Sequence, residues 1–272
     1  MKNNFLKIIN KIIYNLILFA LIISFNLIFP SCSNLKPFEA KNAEEAFNEG
    51  VRLFNKKNYI DAQTFFDMIK LQYPASNYAD DAQFYIAEIY FNKKEYIMAS
   101  FNYSRLKAMY PGSEYQKISL YKSGYAQYLL SPIYDLDQNY TKKAIKTFQE
   151  YQLYYPEQDS MYENASKFIQ ELRDKLGEKD FRTAELYRTL ESPQSSLIYY
   201  DIIINNYDDT SFLEPSIYGK IESLFLLDRY DEANMTINTY NKLFPDGKYK
   251  LKIENLYKNY IVKKQSEKTN LE

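Results

Sequence analysis

The stretch YPASNYADDAQFYIAEIY, Tyr73–Tyr90, opens on Tyr-Pro-x-Ser-x-Tyr, and the same opening returns as YPGSEY from Tyr110. Pro74 and Pro111 lie 37 residues apart, and so do Ala62 and Ala99. Independent landmarks that keep one period mark an internal repeat. Working backward from Pro74, Ala46, Gly50 and Leu53 share one face of a first helix, and the polar run Asn55 to Asn58 suits a turn. Ala62, Phe66 and Ile69 then line a second helix, which Pro74 ends because it lacks an N–H and clashes with the preceding turn. Working forward, Gln83, Ala87 and Tyr90, a turn at NKKEY, then Ala99, Tyr103, Leu106 and Pro111 repeat the order. After each Tyr-Pro a new helix must start. Ser113 with Gln116 has capping-box spacing, and Asn77 is placed as an N-cap with Asp80 and Asp81 near the positive end of the helix dipole.

Three less regular units follow. The third has Gly124 on its first helix, then Ala144, Phe148, Tyr151 and Pro156, with an eight-residue insertion inside LLSPIYDLDQNYTKK. A fourth runs through Ala184, Tyr187, Ser196, Tyr200 and Ile203, preceded by an extra helix near Tyr162 to Leu176, and carries Asp208 where proline would stand. The fifth has Ala233, Ile237, Tyr240 and Pro245. The tail from Lys263 is polar and charged and is expected to fray.

Helical periodicity dominates and no convincing alternating strand appears. The units resemble the tetratricopeptide repeat, a helix-turn-helix of ~34 residues. The expected fold is therefore all-α, a right-handed superhelical solenoid of about five such repeats. Stacked helix pairs leave a concave surface lined by first helices. Transferred to this chain, that surface carries Phe47, Val51, Phe54, Phe84, Glu88, Phe91, Tyr121, Tyr125 and Tyr128. An aromatic groove suits a polypeptide whose apolar side chains need pockets. Each ring could equally be a filler between helices.

Composition narrows the chemistry. The 272 residues are 46% hydrophobic and 25% charged, enough to bury a core. No His and a single Cys exclude a Ser-His or Cys-His pair, imidazole metal ligands and an internal disulfide. No carboxylate spacing argues for catalysis. The carboxylates of DLD, Asp135 and Asp137, could hold a divalent ion or simply form a solvated loop. The expectation is no enzyme, no metal and no cofactor. A net charge of −1 gives no basis for nucleic-acid binding.

Residues 1–31 read as a secretory signal, with Lys2, Lys7 and Lys11 ahead of an apolar run from Ile12 to Ile28. The junction FPSCSN ends it on the chain's one cysteine, Cys32. This resembles a bacterial lipoprotein signal, in which Cys32 is lipidated and becomes the mature N-terminus. Phe29 and Pro30 depart from the usual pattern, and Ser33 in place of aspartate resembles outer-membrane sorting. The alternative is an uncleaved anchor, since the run approaches the ~17-residue minimum for a spanning helix. Removing three of 34 basic residues leaves 31 against 35 acidic, a balance of −4, so a tether and not surface charge would hold the protein at a membrane.

A lipoprotein signal, five repeats, the Tyr-Pro-x-Ser-x-Tyr junctions and an enlarged third repeat carrying DLDQNYTKKAIKTFQEYQLYYP together resemble the BamD family, lipoprotein subunits of the outer membrane β-barrel assembly machinery. Where that family tends to read Asp-Arg-Asp-Gln, this chain has Asp135, Leu136, Asp137 and Gln138. The resemblance implies a lipid-anchored scaffold on the periplasmic face of the outer membrane. N-terminal repeats would receive unfolded barrel precursors, and C-terminal repeats would dock on a periplasmic domain of the barrel-forming subunit BamA, alongside the other subunits. The implied division is a signal over 1–31, a linker over 32–41, repeats 1–3 over 42–157, repeats 4–5 over 158–262 and a tail over 263–272. Rival readings are another envelope repeat lipoprotein, of the cell-division or peptidoglycan-coordinating type, and a glycan binder of the SusD type. The latter stacks sugars on Trp, which is absent here.

Overall fold

Eleven helices and no strand make up the described part of the chain in a computed structural model, which describes residues 40–269 and side chains as far as 262. The signal segment, Cys32, most of the linker and the last three residues lie outside the described residues. Five hairpins follow one another: α1 (Ala43–Asn55) with α2 (Tyr59–Gln72), α3 (Ala79–Asn92) with α4 (Tyr96–Met109), α5 (Gln116–Leu130) with α6 (Asn139–Tyr154), α7 (Ser160–Thr189) with α8 (Pro193–Asn206), and α9 (Leu213–Leu226) with α10 (Tyr230–Leu243). A last helix, α11 (Lys250–Thr269), packs on α9. Each helix otherwise packs chiefly on its neighbours in sequence, so the expected all-α repeat solenoid is what forms.

The repeated core is the one the period marks. Ala62, Phe66 and Ile69, then Ala99, Tyr103 and Leu106, then Ala144, Phe148 and Tyr151, are all buried. Ser196, Tyr200 and Ile203 continue the series. Small residues on first helices make room for these rings. A Cβ on Gly50 would lie 2.8 Å from Phe66, and one on Gly124 would lie 2.9 Å from Phe148.

Inside four of the hairpins the turn has three residues, and its middle residue is left-handed: Lys57, Lys94, Glu191 and Asp228, with φ between 55° and 60°. Each closes the preceding helix with the same pair of bonds. In the second, Lys94 N–H donates to Phe91 O at 2.9 Å and Glu95 N–H to Tyr90 O at 2.9 Å. This is the Schellman pattern, which satisfies carbonyls left free at a helix end. Glycine is its usual residue because a Cβ costs ~1–2 kcal/mol in this conformation. Lys94→Gly is therefore expected to stabilise the fold by ~0.5 kcal/mol after the extra freedom of the unfolded glycine is subtracted. Chemical denaturation should show a higher midpoint with an unchanged slope.

Four of the five junctions that follow a hairpin are also alike; between α6 and α7 the Asp159 N–H instead donates to Glu157 O at 2.8 Å. At Tyr110, Ser113 N–H donates to Tyr110 O at 3.0 Å and Gln116 N–H to Ser113 O at 3.3 Å. The same two bonds recur from Tyr73, Tyr207 and Phe244, so Asp208 substitutes for proline without changing the turn. The aromatic closing each of these four junctions meets a ring of the preceding first helix. Tyr78 stacks on Phe47 at 5.1 Å, Tyr115 on Phe84 at 4.4 Å and Tyr249 on Tyr218 at 4.6 Å, with Phe212 tilted against Phe181 at 5.5 Å. The recurring Tyr-Pro-x-Ser-x-Tyr thus stops one helix, turns the chain and staples the next helix to its predecessor.

Two local expectations are corrected. Neither Asn77 nor Ser113 caps a helix with its side chain: α3 starts at Ala79 behind Tyr78, and α5 at Gln116 behind Tyr115. Gln116 reaches backward instead, donating to Tyr110 O at 2.6 Å and so satisfying the end of α4. The helix expected near Tyr162 to Leu176 does not stop there but runs unbroken as α7 over 30 residues, starting behind an Asp159 side-chain cap. Gly177, inside this helix, lets the α8–α9 junction come close; a Cβ there would lie 3.1 Å from Thr210 Oγ1. The described backbone is helical from Lys263 to Thr269.

Candidate functional site

The nine residues expected on the concave surface form three rows on first helices, each with a step of 37: Phe47, Phe84 and Tyr121; Val51, Glu88 and Tyr125; Phe54, Phe91 and Tyr128. All nine are half-buried. The first row supplies the rings that junction residues cover, except Tyr121, which lies against Phe148 and Tyr151 at 5.9 and 5.6 Å. The third row sits over the turns, with Phe54 against Tyr59 at 5.7 Å and Phe91 against Tyr96 at 5.5 Å. Most of these rings therefore already have neighbours inside the protein.

Around the second row the structure brings several of them together. Glu88 accepts the Tyr103 hydroxyl at 2.5 Å and also takes the Lys122 ammonium. That ammonium lies over the rings of Phe84, Phe91 and Tyr103 at 5.8, 5.6 and 6.0 Å, and Phe91 continues to Tyr125 at 5.9 Å. A cation held over ring faces gains from their negative quadrupoles. Burial, then the Glu88 charge, drive the Tyr103 hydroxyl far above its ordinary titration range, so it acts only as a donor. The arrangement is a fixed, mostly apolar wall with one neutralised carboxylate. It can grip side chains and offers no activated nucleophile.

Sequence reasoning missed two contributors. Tyr85 of α3 stacks on Phe66 at 5.1 Å and meets Phe54 at 5.2 Å, filling the space between the first two repeats. Phe168 of α7 lies 4.4 Å from Tyr128 and 5.3 Å from Tyr125, so the long helix closes the far end of the rows. The hydroxyl of Tyr128 donates to Glu171 at 2.6 Å, and this bond with partial burial raises its pKa to about 12.

The insertion of the third repeat, 131–138, is built around Gln138. Its Nε2 donates to Ile133 O at 2.7 Å and Leu136 O at 3.0 Å, and its Oε1 accepts from Thr141 at 2.6 Å. Lys175 and Lys179 of α7 clamp the loop through Ser131 and Leu136 O. Asp137 caps the backbone N–H of Asn139 at 3.0 Å. Among the described residues no group of three or more acidic or cysteine side chains is placed to hold a metal. No described helix is long and apolar enough to cross a membrane.

A curated relative, the outer membrane protein assembly factor BamD of Rickettsia prowazekii (strain Madrid E), is 23% identical over 214 residues, covering 79% of this chain and 85% of that protein. Solved structures that resemble the chain include a tetratricopeptide repeat protein from Parabacteroides merdae, at 13% identity, 77% of this chain, 81% of that one and a TM-score of 0.38. Another is the TPR2AB domain of yeast Sti1 in its pHSP90 complex, at 16% identity, 81% and 86% coverage and a TM-score of 0.39. Residues 39–236 match the YfiO family, described as outer membrane lipoproteins, and with more than half of its length inside that match the chain belongs to this family.

Proposed function

We propose that the protein is a lipid-anchored scaffold of the β-barrel assembly machinery, attached through Cys32 to the outer membrane and facing the periplasm. Repeats 1–3, over 42–157, receive unfolded barrel precursors. Repeats 4–5, over 158–262, dock on the periplasmic part of BamA. It holds polypeptides and transforms nothing. Membership of the outer membrane lipoprotein family supports the location and the process. The observation that carries the client half is the triple row of half-buried residues, rich in rings, on the first helices of repeats 1–3. Ordering a flexible client opposes the contact energy, so binding there is weak and exchangeable.

The test uses a peptide from the C-terminal strand of an outer membrane barrel protein. Phe91→Ala with Tyr125→Ala is expected to weaken its binding about tenfold, ~1.4 kcal/mol, while circular dichroism confirms that the helices remain. Unchanged affinity in a folded double variant would return these rings to a purely packing role.

A further inference from the structure

The first two hairpins share more than the repeat requires. FNKKNYI, Phe54–Ile60, returns as FNKKEYI, Phe91–Ile97, again 37 residues on. In each, the second lysine, Lys57 or Lys94, holds the left-handed centre of the turn. The conformation does not ask for lysine, since Glu191 and Asp228 take the same place in the fourth and fifth hairpins. A side chain that costs stability at two equivalent positions points to a use for its charge.

Because successive helices alternate in direction, the turns inside hairpins share one edge and the Tyr-Pro junctions the opposite one. α1 packs on α3, so the first two turns lie about one helix spacing apart, ~10 Å. Among the described residues, neither the Lys57 nor the Lys94 ammonium has an ion pair or hydrogen bond, whereas Lys93 is paired with Glu95 at 2.7 Å and Asp61 accepts from Asn58 at 2.6 Å. Just past each turn an isoleucine stands out, Ile60 at 77% and Ile97 at 56% exposure. Free ammonium groups beside exposed apolar side chains suit the boundary between anionic head groups and acyl chains. The pattern stops after two repeats. In the third hairpin the insertion mixes both signs, with Asp135 and Asp137 beside Lys179, and the left-handed residue of the fourth and fifth is acidic. Basic charge therefore gathers on the two hairpins that follow the anchor in the chain. Residues 33–41 can span ~30 Å when fully extended, more than the ~20 Å length of α1, so a lipid on Cys32 and the far end of α1 can meet one membrane surface.

We propose that these two turns form a membrane-facing edge, in which Lys57 and Lys94 take anionic phospholipid head groups and Ile60 and Ile97 enter the head-group layer. This rests on the reading that Cys32 is lipidated. The tether holds the protein at the membrane and supplies the local concentration at which so small a contact counts. The edge decides which side of the repeats faces the bilayer. Contact through helix ends leaves the inner rows, on the flanks of first helices, uncovered.

The experiment reconstitutes the full-length lipoprotein, carrying Ile97→Cys labelled with a polarity-sensitive dye, into vesicles of phosphatidylethanolamine and phosphatidylglycerol or of phosphatidylcholine alone. Quenching by lipids spin-labelled at the head group reports proximity. Leu71→Cys is the reference, 81% exposed at the opposite end of α2. In the anionic vesicles the dye at 97 should be quenched about threefold more than the dye at 71, and the excess should vanish at high salt. Lys57→Gly with Lys94→Gly should abolish the same excess without lowering the melting temperature, since glycine relieves both turns. Equal quenching at 71 and 97 would mean that no edge is preferred and would overturn the proposal. Excess quenching that persists on phosphatidylcholine or in the double glycine variant would overturn the head-group assignment. An Ile97→Cys thiol that is open to reagents on vesicles but shielded in cells would give the edge to a protein partner instead. Vesicles that float without the protein would remove the Cys32 reading as well, whereas floating protein with an unquenched dye at 97 removes the edge alone.

Discussion

Phe148→Ala is expected to lower stability by ~3–5 kcal/mol, the range for deleting a large buried ring. Phe148 is fully buried at the centre of the chain, under Gly124 and against Tyr121 and Phe168. Gly124 offers no side chain that could fall into the space, and Tyr121 and Phe168 are held by further rings. The cavity therefore persists, which puts the cost in the upper part of the range. Phe148 also joins the third hairpin to α7, so the loss weakens one interface of a nearest-neighbour stack. Urea denaturation should show an earlier transition with a shallower slope, as the halves begin to unfold separately. A variant that unfolds in one step at the parental midpoint would contradict this account of the core.

Gly219→Ala should also destabilise, although alanine is the better helix former by ~1 kcal/mol. A Cβ at Gly219 would overlap the ring of Tyr200, and even Tyr200 Cε1 is only 2.7 Å from it. Tyr200 cannot yield readily. It is fully buried, and its hydroxyl donates to Glu185 at 2.5 Å. Overpacking costs ~1–3 kcal/mol and often more where nothing can move. The net effect is ~2 kcal/mol, a melting temperature lower by ~4–8 °C for a domain of this size. Gly112→Ala is the control, because a Cβ there meets nothing within 4 Å. Equal melting temperatures for the two variants would mean that Tyr200 is free to shift.

The repeat could be read from the sequence because its landmarks are steric. Ala62, Ala99 and Ala144 must be small, Phe66, Tyr103 and Phe148 must be large, and proline must end a helix, so the period survives drift elsewhere. The turns could not be read in the same way. Their left-handed residues are Lys57, Lys94, Glu191 and Asp228, which carry no glycine signal. The expected helix near Tyr162 to Leu176 runs on through Gly177 to Thr189, and that glycine allows close approach to Thr210. The inner rows were legible in repeats 1–3 as candidate site residues, but the pairing of Phe47 with Tyr78 and Phe84 with Tyr115 was not, because it joins residues 31 apart across a junction. The hollow lined by Arg188, Phe225, Leu226, Tyr230 and Tyr260 needs α11 to complete it, and α11 follows neither the small-residue nor the large-ring pattern. Its one available signal was Arg188, the break in an aromatic row.

The central claim is that first helices present the working face. Photo-crosslinking residues placed singly at Val51 and Tyr125 on the inner rows, and at Ile97 and Met235 on exposed second-helix positions, test it in growing cells. Adducts with newly secreted barrel precursors are expected from Val51 and Tyr125 and not from Ile97 or Met235. Equal adducts at all four positions, or adducts only from the second helices, would contradict it.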